Sequence, residues 1–224
     1  MASNYKMNYV VDIVFVIDST GSMGHTLDMV KNNALSFHSQ LMDSMAKKQK
    51  TVDKLRIKIV SFRDYLADKV PMLVTEFFNL PEEQGDLRAV MNTINAEGGG
   101  DEPEDALEAL AYAIRSDWDY SSMKSRQVIV LYTDATAHNL GFGRAAAGYP
   151  GGMASTMSEL SEWWDNPEYI KQTSKRLLLF APDTPDWNFI SSNWTNVIHY
   201  PSEAGEGLSE IDFNEILSVI ANSI

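Results

Sequence analysis

Residues 10–17 read Val-Val-Asp-Ile-Val-Phe-Val-Ile: short, rich in β-branched side chains, and apolar at consecutive rather than alternate positions. A segment of that kind is a strand buried on both faces, which requires a sheet covered by helices on each side. Gln127 to Tyr132 and Arg176 to Phe180 have the same character. Leu55 to Phe62 alternates more, with Arg56 and Lys58 between its apolar residues, and Met72 to Phe78 is suited to pair beside it. Val197 to Tyr200 is a short final strand.

Helical periodicity fills the intervals. Leu27, Val30, Ala34, Phe37, Leu41 and Met45 form one apolar stripe, and Leu87, Val90, Met91 and Ile94 a second. Leu107, Leu110, Ala111 and Ile114 form a third, with Pro103 placed for its first turn. Phe213, Ile216, Leu217, Ile220 and Ala221 form the last, with Ser209 as N-cap, and a weaker helix is expected between Ser155 and Trp164. Strands alternating with helices predict an α/β fold with a mostly parallel central sheet between two helical layers. No Pro/Gly-rich linker divides the chain, and Gly141 to Gly152, which follows a central strand, reads as a surface loop. One domain over residues 1–224 is expected.

Composition agrees with this. A chain of 224 residues can bury about 70% of its unfolded surface without covalent staples. It contains no cysteine, which removes disulfides, thiolate metal sites and thiol nucleophiles. The net charge of −13 disfavours nucleic acid and anionic membranes as partners and favours cations. The N-terminal MASNYKMNYV lacks the apolar core of a signal peptide, and the longest apolar run, Ile13 to Ile17, is far below the ~20 residues that span a bilayer. A cytoplasmic protein is the expectation.

In sheets of this type ligands bind at the carboxyl ends of the strands. There the sequence places Asp18-Ser19-Thr20-Gly21-Ser22, then Arg63-Asp64, then Gly98-Gly99-Gly100-Asp101-Glu102-Pro103-Glu104-Asp105, then Thr133-Asp134. Each loop brings at least one carboxylate to the same edge, where they repel one another unless a cation intervenes. Thr20 and Ser22 add neutral oxygens, and in an extended turn residues 18, 20 and 22 point one way while 19 and 21 do not. Carboxylate, hydroxyl and water oxygens suit Mg²⁺, with Mn²⁺ or Ca²⁺ as substitutes.

Asp18-x-Thr20-x-Ser22 after the strand VDIVFVI resembles the opening motif of the von Willebrand factor A domain. The resemblance implies a three-layer α/β/α fold and a divalent ion held by three loops, the metal-ion-dependent adhesion site of that family. Asp134 matches the third-loop aspartate. The second loop departs from the commoner threonine version; Asp101-x-Pro103-Glu104 resembles the D-x-P-E found in the A domains of integrin β-subunits, which implies Glu104 as a ligand with Asp101 close by. The combination of DSTGSM, FRDY and GGGDEPEDAL is also similar to A domains of intracellular proteins, including those attached to atypical kinases. His25 and Thr26 stand where integrin β domains carry the acids of an adjacent metal site, so that site is expected to be absent. By the same resemblance Asp64, with Asp101 and Glu104, is the candidate for a second ion, unless Arg63 or a backbone amide satisfies its carboxylate.

Three functions follow from these residues. The first is a non-enzymatic interaction module whose ion accepts an Asp or Glu from a protein partner. The second is a domain in which the ion only ties loops together and the partner surface lies elsewhere. The third is a metal-assisted phosphohydrolase, which needs a base or nucleophile beside the ion, and no histidine or lysine is placed for it. A haloacid-dehalogenase-type phosphatase needs an acid two residues after Asp18, where this chain has Thr20, and no Gly-rich phosphate loop followed by Lys-Ser/Thr is present. His25, His38, His138 and His199 are scattered, and His138 reads as a surface residue. Trp163 is expected to face the core with Trp164 near the helix edge.

Overall fold

The parity of the long apolar run sets the layers. In the computed structural model, which describes residues 8–100, 102–203 and 218, strand β1 (Asn8–Asp18) sends Ile13, Phe15 and Ile17 into one core and Val14 and Val16 into another. Both cores are needed because every one of these five side chains is fully buried. β1 pairs in parallel with β2 (Thr51–Phe62) on one side and β5 (Ser125–Tyr132) on the other. β6 (Lys175–Pro182) and β7 (Val197–Ser202) continue the parallel sheet. β3 (Met72–Val74) and β4 (Phe78–Leu80) both pair antiparallel with β2, giving a seven-stranded sheet in the order β3-β2-β1-β5-β6-β7 with β4 beside β2.

α1 (Leu27–Lys47) covers the first face through the stripe from Leu27 to Met45, joined by Leu87 and Met91 of α2 (Gln84–Thr93). α3 (Ala106–Ile114), α4 (Met157–Asp165) and α5 (Pro185–Asn193) cover the other. Each large apolar side chain so enclosed contributes on the order of 1.5–3 kcal/mol. No helix among the described residues is long and apolar enough to cross a membrane.

Several expectations need correction. The single strand expected over Met72 to Phe78 is instead β3, ending at Val74, and β4, starting at Phe78; the Thr75 hydroxyl accepts from the Ile59 amide at 3.0 Å and so takes the place of a ladder carbonyl. α3 begins at Ala106, which leaves Pro103 in the preceding turn and not in the first turn of the helix. On α4 the inward pair is Leu160 and Trp164, one helical turn apart; Trp164 is fully buried, whereas Trp163 is half-buried and packs edge-on to Tyr169. Helix α5 has no counterpart among the expected helices; its signals are Pro185 at the first helical position and Asp186 in the first turn. The expected last helix, with its cap at Ser209, falls outside the described residues apart from Ser218.

Candidate metal centre

Asp18 ends β1 with no exposed surface. One carboxylate oxygen accepts from the Thr20 amide at 2.9 Å and the Thr20 hydroxyl at 2.6 Å, and the other accepts from the Thr133 hydroxyl at 2.6 Å. The Ser22 hydroxyl lies 3.2 Å from that of Thr20 and donates to Asp134 Oδ1 at 2.9 Å. Asp18, Thr20, Ser22 and Asp134 thus form one continuous oxygen cluster across two loops. Ser19 points away, as its place in the turn predicts: its hydroxyl donates to the Phe62 carbonyl and accepts from Ser61.

Glu104 arrives from the second loop. Its amide donates to the Thr136 carbonyl and its carbonyl accepts from the His138 amide, a short parallel bridge that straps it to the loop carrying Asp134. Gly99 sits between its carboxylate and Thr20. A Cβ on Gly99 would stand 2.7 Å from Glu104 Oε1 and 2.8 Å from Thr20 Cβ, and its φ of +93° is one that other residues rarely adopt. The glycine loop is held from below by Asp68, which accepts from the amides of Gly99 at 3.0 Å and Asp64 at 3.2 Å. Gly99→Ala is therefore expected to destabilise the protein by about 1–3 kcal/mol and to push Glu104 from Thr20. Gly148→Ala, where no described residue stands within 4 Å of the added carbon, is the neutral control; thermal melts of both variants check this.

The electrostatics of the cluster favour a positive charge. Burial, opposed by the Thr133 and Thr20 hydrogen bonds and aided by the charge of Asp134, pushes the Asp18 carboxyl up to about 6. Burial followed by repulsion from Asp18, Asp64, Asp68 and Asp105 pushes Glu104 up to about 9. Among the described residues Glu104 Oε2 and Asp134 Oδ2 are buried and have no hydrogen-bond partner. Buried carboxylate oxygens of this kind are costly unless a donor or cation meets them. An all-oxygen set of carboxylates and hydroxyls matches the preference of Mg²⁺, Mn²⁺ or Ca²⁺. Among the described residues no three histidine or acidic side chains are grouped tightly enough to make a cage by themselves. Hydroxyls hold the middle of the cluster, and Asp101 lies outside the described residues.

Around this cluster the structure adds residues that sequence reasoning missed or misplaced. Thr133 is not among the expected ligands, yet it fixes the Asp18 carboxylate; its signal is its position between the strand end and Asp134. His138 is buried rather than at the surface, stacked on Phe142 with centroids 3.9 Å apart, and its Nε2 is 3.6 Å from Asp64. Asp64 accepts from the Leu66 amide at 2.6 Å, so a backbone amide satisfies one of its oxygens. Arg63 instead binds the carbonyls of Ser19 and Asn95 and pairs with Glu97 at 3.2 Å, clamping the Asp18–Ser22 loop to the glycine loop. Glu108 is a further residue without a sequence signal; it is buried, accepts from the Gly141 amide and the Tyr149 hydroxyl, and is pushed up to about 6 by burial.

Comparison with known proteins bears on this arrangement. The chain is 24% identical over 222 residues to the alpha-protein kinase vwkA of Dictyostelium discoideum, a match covering 93% of this chain and 33% of that protein. It is 28% identical over 134 residues to a putative ariadne-like RING finger protein, R811, of Acanthamoeba polyphaga mimivirus, covering 58% and 11%. The chain thus spans a third or less of the curated relatives it matches. Among solved structures it is similar in fold to the pilus adhesin SpaC of Lactobacillus rhamnosus GG, with a TM-score of 0.57 at 12% identity over 97% of this chain and 31% of that one. It is similar also to a von Willebrand factor type A protein of Catenulispora acidiphila, with a TM-score of 0.52 at 14% identity over 96% and 43%. The profile of the von Willebrand factor A domain matches residues 12–142, more than half of the sequence and the loops that carry Asp18, Glu104 and Asp134. The chain belongs to the von Willebrand factor A domain family, whose members generally serve as protein-interaction modules.

Proposed function

We propose that this domain is a non-enzymatic, metal-dependent interaction module. In it Asp18, Thr20, Ser22, Glu104 and Asp134, with Asp101, hold one divalent cation, Mg²⁺ first and Mn²⁺ or Ca²⁺ as substitutes, and a protein partner presents an Asp or Glu there. The observation that carries the reading is the pair of buried oxygens of Glu104 and Asp134 flanking the Thr20–Ser22 hydroxyls, which find no partner among the described residues. When bound, the ion supplies a local positive charge able to accept a carboxylate ligand. The residues of the chain set how much of that charge survives. Thr20 and Ser22 offer oxygens without adding negative charge, and the threonine hydroxyls hold Asp18 fixed. The surface around the cluster also suits a partner, since Leu66, Val70, Phe142 and Phe189 expose large apolar side chains on segments that follow strand ends.

Capture of partners on immobilised domain from the native host is expected to succeed with Mg²⁺ and fail in EDTA. It is also expected to weaken when the partner's key acid is changed to its amide. Equal capture with and without EDTA would leave the ion a structural role at most and move the partner surface to another face.

A further inference from the structure

A second site lies on the α3 side of the sheet, away from the oxygen cluster. Lys58 shares the face of β2 that carries Val60, and as a residue it is only 9% exposed. Among the described residues its ammonium makes no hydrogen bond and no ion pair; it stands 5.7 Å from the centre of the Phe77 ring, and Glu76 and Asp117 act on it only from a distance. Burial accordingly holds its pKa below the ordinary lysine value. A cation in this condition lacks the counter-charge that buried ionic groups require.

Arg115, the C-cap of α3 one turn beyond Ala111, lines the same cleft. Its guanidinium packs over Trp163 at 4.8 Å and Tyr169 at 5.2 Å, and one nitrogen donates to the Gly152 carbonyl at 3.1 Å. That bond occupies one of its five N–H donors and leaves the others for a ligand. The cleft encloses about 300 Å³ between Lys58, Tyr112, Arg115, Met153 and Trp163 and the backbone of residues 150–152, and among the described residues no acidic side chain lines it. Two cations facing an acid-free cleft run against a chain of net charge −13.

We infer that this cleft binds a small organic carboxylate, its anionic group between Lys58 and Arg115 and its apolar body against Trp163 and Met153. Glu76 and Asp117 already offset part of the positive charge, which favours a monoanion over a phosphate dianion. The tryptophan and methionine walls favour a ligand with a hydrocarbon body over a bare ion. The volume is at the lower end of small-molecule sites.

The test is a titration of ¹⁵N-labelled domain with benzoate, followed by the amide shifts of Gly151 and Gly152 and the indole of Trp163. EDTA is present throughout, so that no carboxylate binds through a metal. Saturable shifts are expected, with benzyl alcohol and inorganic phosphate each binding at least about tenfold more weakly, since a charge-assisted hydrogen bond is lost in one case and apolar contact in the other. Lys58→Met, which keeps the apolar stem, and Arg115→Gln, on an exposed side chain, are each expected to weaken benzoate by about tenfold or more. Thermal melts of both variants establish that they are folded. Absence of saturation, equal binding of benzyl alcohol, competition by phosphate as effective as benzoate, or undiminished binding by the folded variants would each overturn the assignment.

Discussion

Metal-free domain held in EDTA is expected to become more stable as the pH is lowered from about 8 to about 5. Asp18 is raised from 3.8 to about 6 and Glu104 from 4.5 to about 9 by folding. A carboxyl whose folded pKa exceeds its unfolded value binds more protons in the folded state between the two. Stability therefore grows as pH falls through about 9 to 4.5 for Glu104 and about 6 to 3.8 for Asp18. The gain should be of the order of 1–3 kcal/mol, several degrees in Tm. With Mg²⁺ in excess the trend should flatten. A ligand at about 100 times its Kd adds about 2.7 kcal/mol, and this increment shrinks on acidification because protons compete for the same oxygens, which offsets most of the gain. Melting curves from pH 8 to 5, with and without Mg²⁺, test both expectations. An EDTA curve that is flat or falls on acidification would refute the reading of these acids as mutually repelling and lacking a cation.

Asp12→Ala is expected to lower stability by about 3–5 kcal/mol, some 6–20 °C in Tm, although Asp12 is remote from the metal centre. Asp12 is fully buried inside the apolar run of β1 and sits in register with Arg56 of β2. Its carboxylate accepts two guanidinium bonds from Arg56 at 2.8 and 2.7 Å and the Asp119 amide at 2.6 Å. Removing it leaves the largely enclosed guanidinium with the Asp117 carbonyl and the Phe77 ring but without its counter-charge, and the Asp119 amide without its acceptor, whereas Asp12→Asn retains one acceptor and should cost less. A fall of under about 2 °C for the alanine variant would show that the pair contributes little.

These two sites differ in how far the sequence revealed them. The strand cores were legible because burial on both faces leaves a consecutive apolar run, and the α1 stripe because 3.6-residue periodicity persists over 21 residues. The order of the acidic loops was legible because carboxylates at strand ends carry their own signature, and the resemblance to A domains rested on that order. The match to an alpha-protein kinase agrees with the similarity to A domains attached to kinases. Long-range pairing left no such trace. Asp12 is an anomaly in an apolar run, yet its partner Arg56 lies 44 residues away and only the β1–β2 register identifies it. Thr133 and Asp18 are 115 residues apart. His138 reads as a surface residue from composition, but the Glu104–Ala137 bridge draws it under the loops beside Asp64. Trp163 and Trp164 are adjacent, and α4 is short enough that a rotation of one residue exchanges inside for edge.

The most direct test of the metal centre is calorimetric titration of chelated protein with Mg²⁺ or Mn²⁺, comparing the wild type with Asp18→Ala and Asp134→Asn. The asparagine can still accept from Ser22 but no longer supplies charge at the buried Oδ2 position. One saturable site in the wild type, lost in Asp18→Ala and severely weakened in Asp134→Asn with the fold retained, is the result this account predicts. Undiminished binding in either folded variant would contradict it.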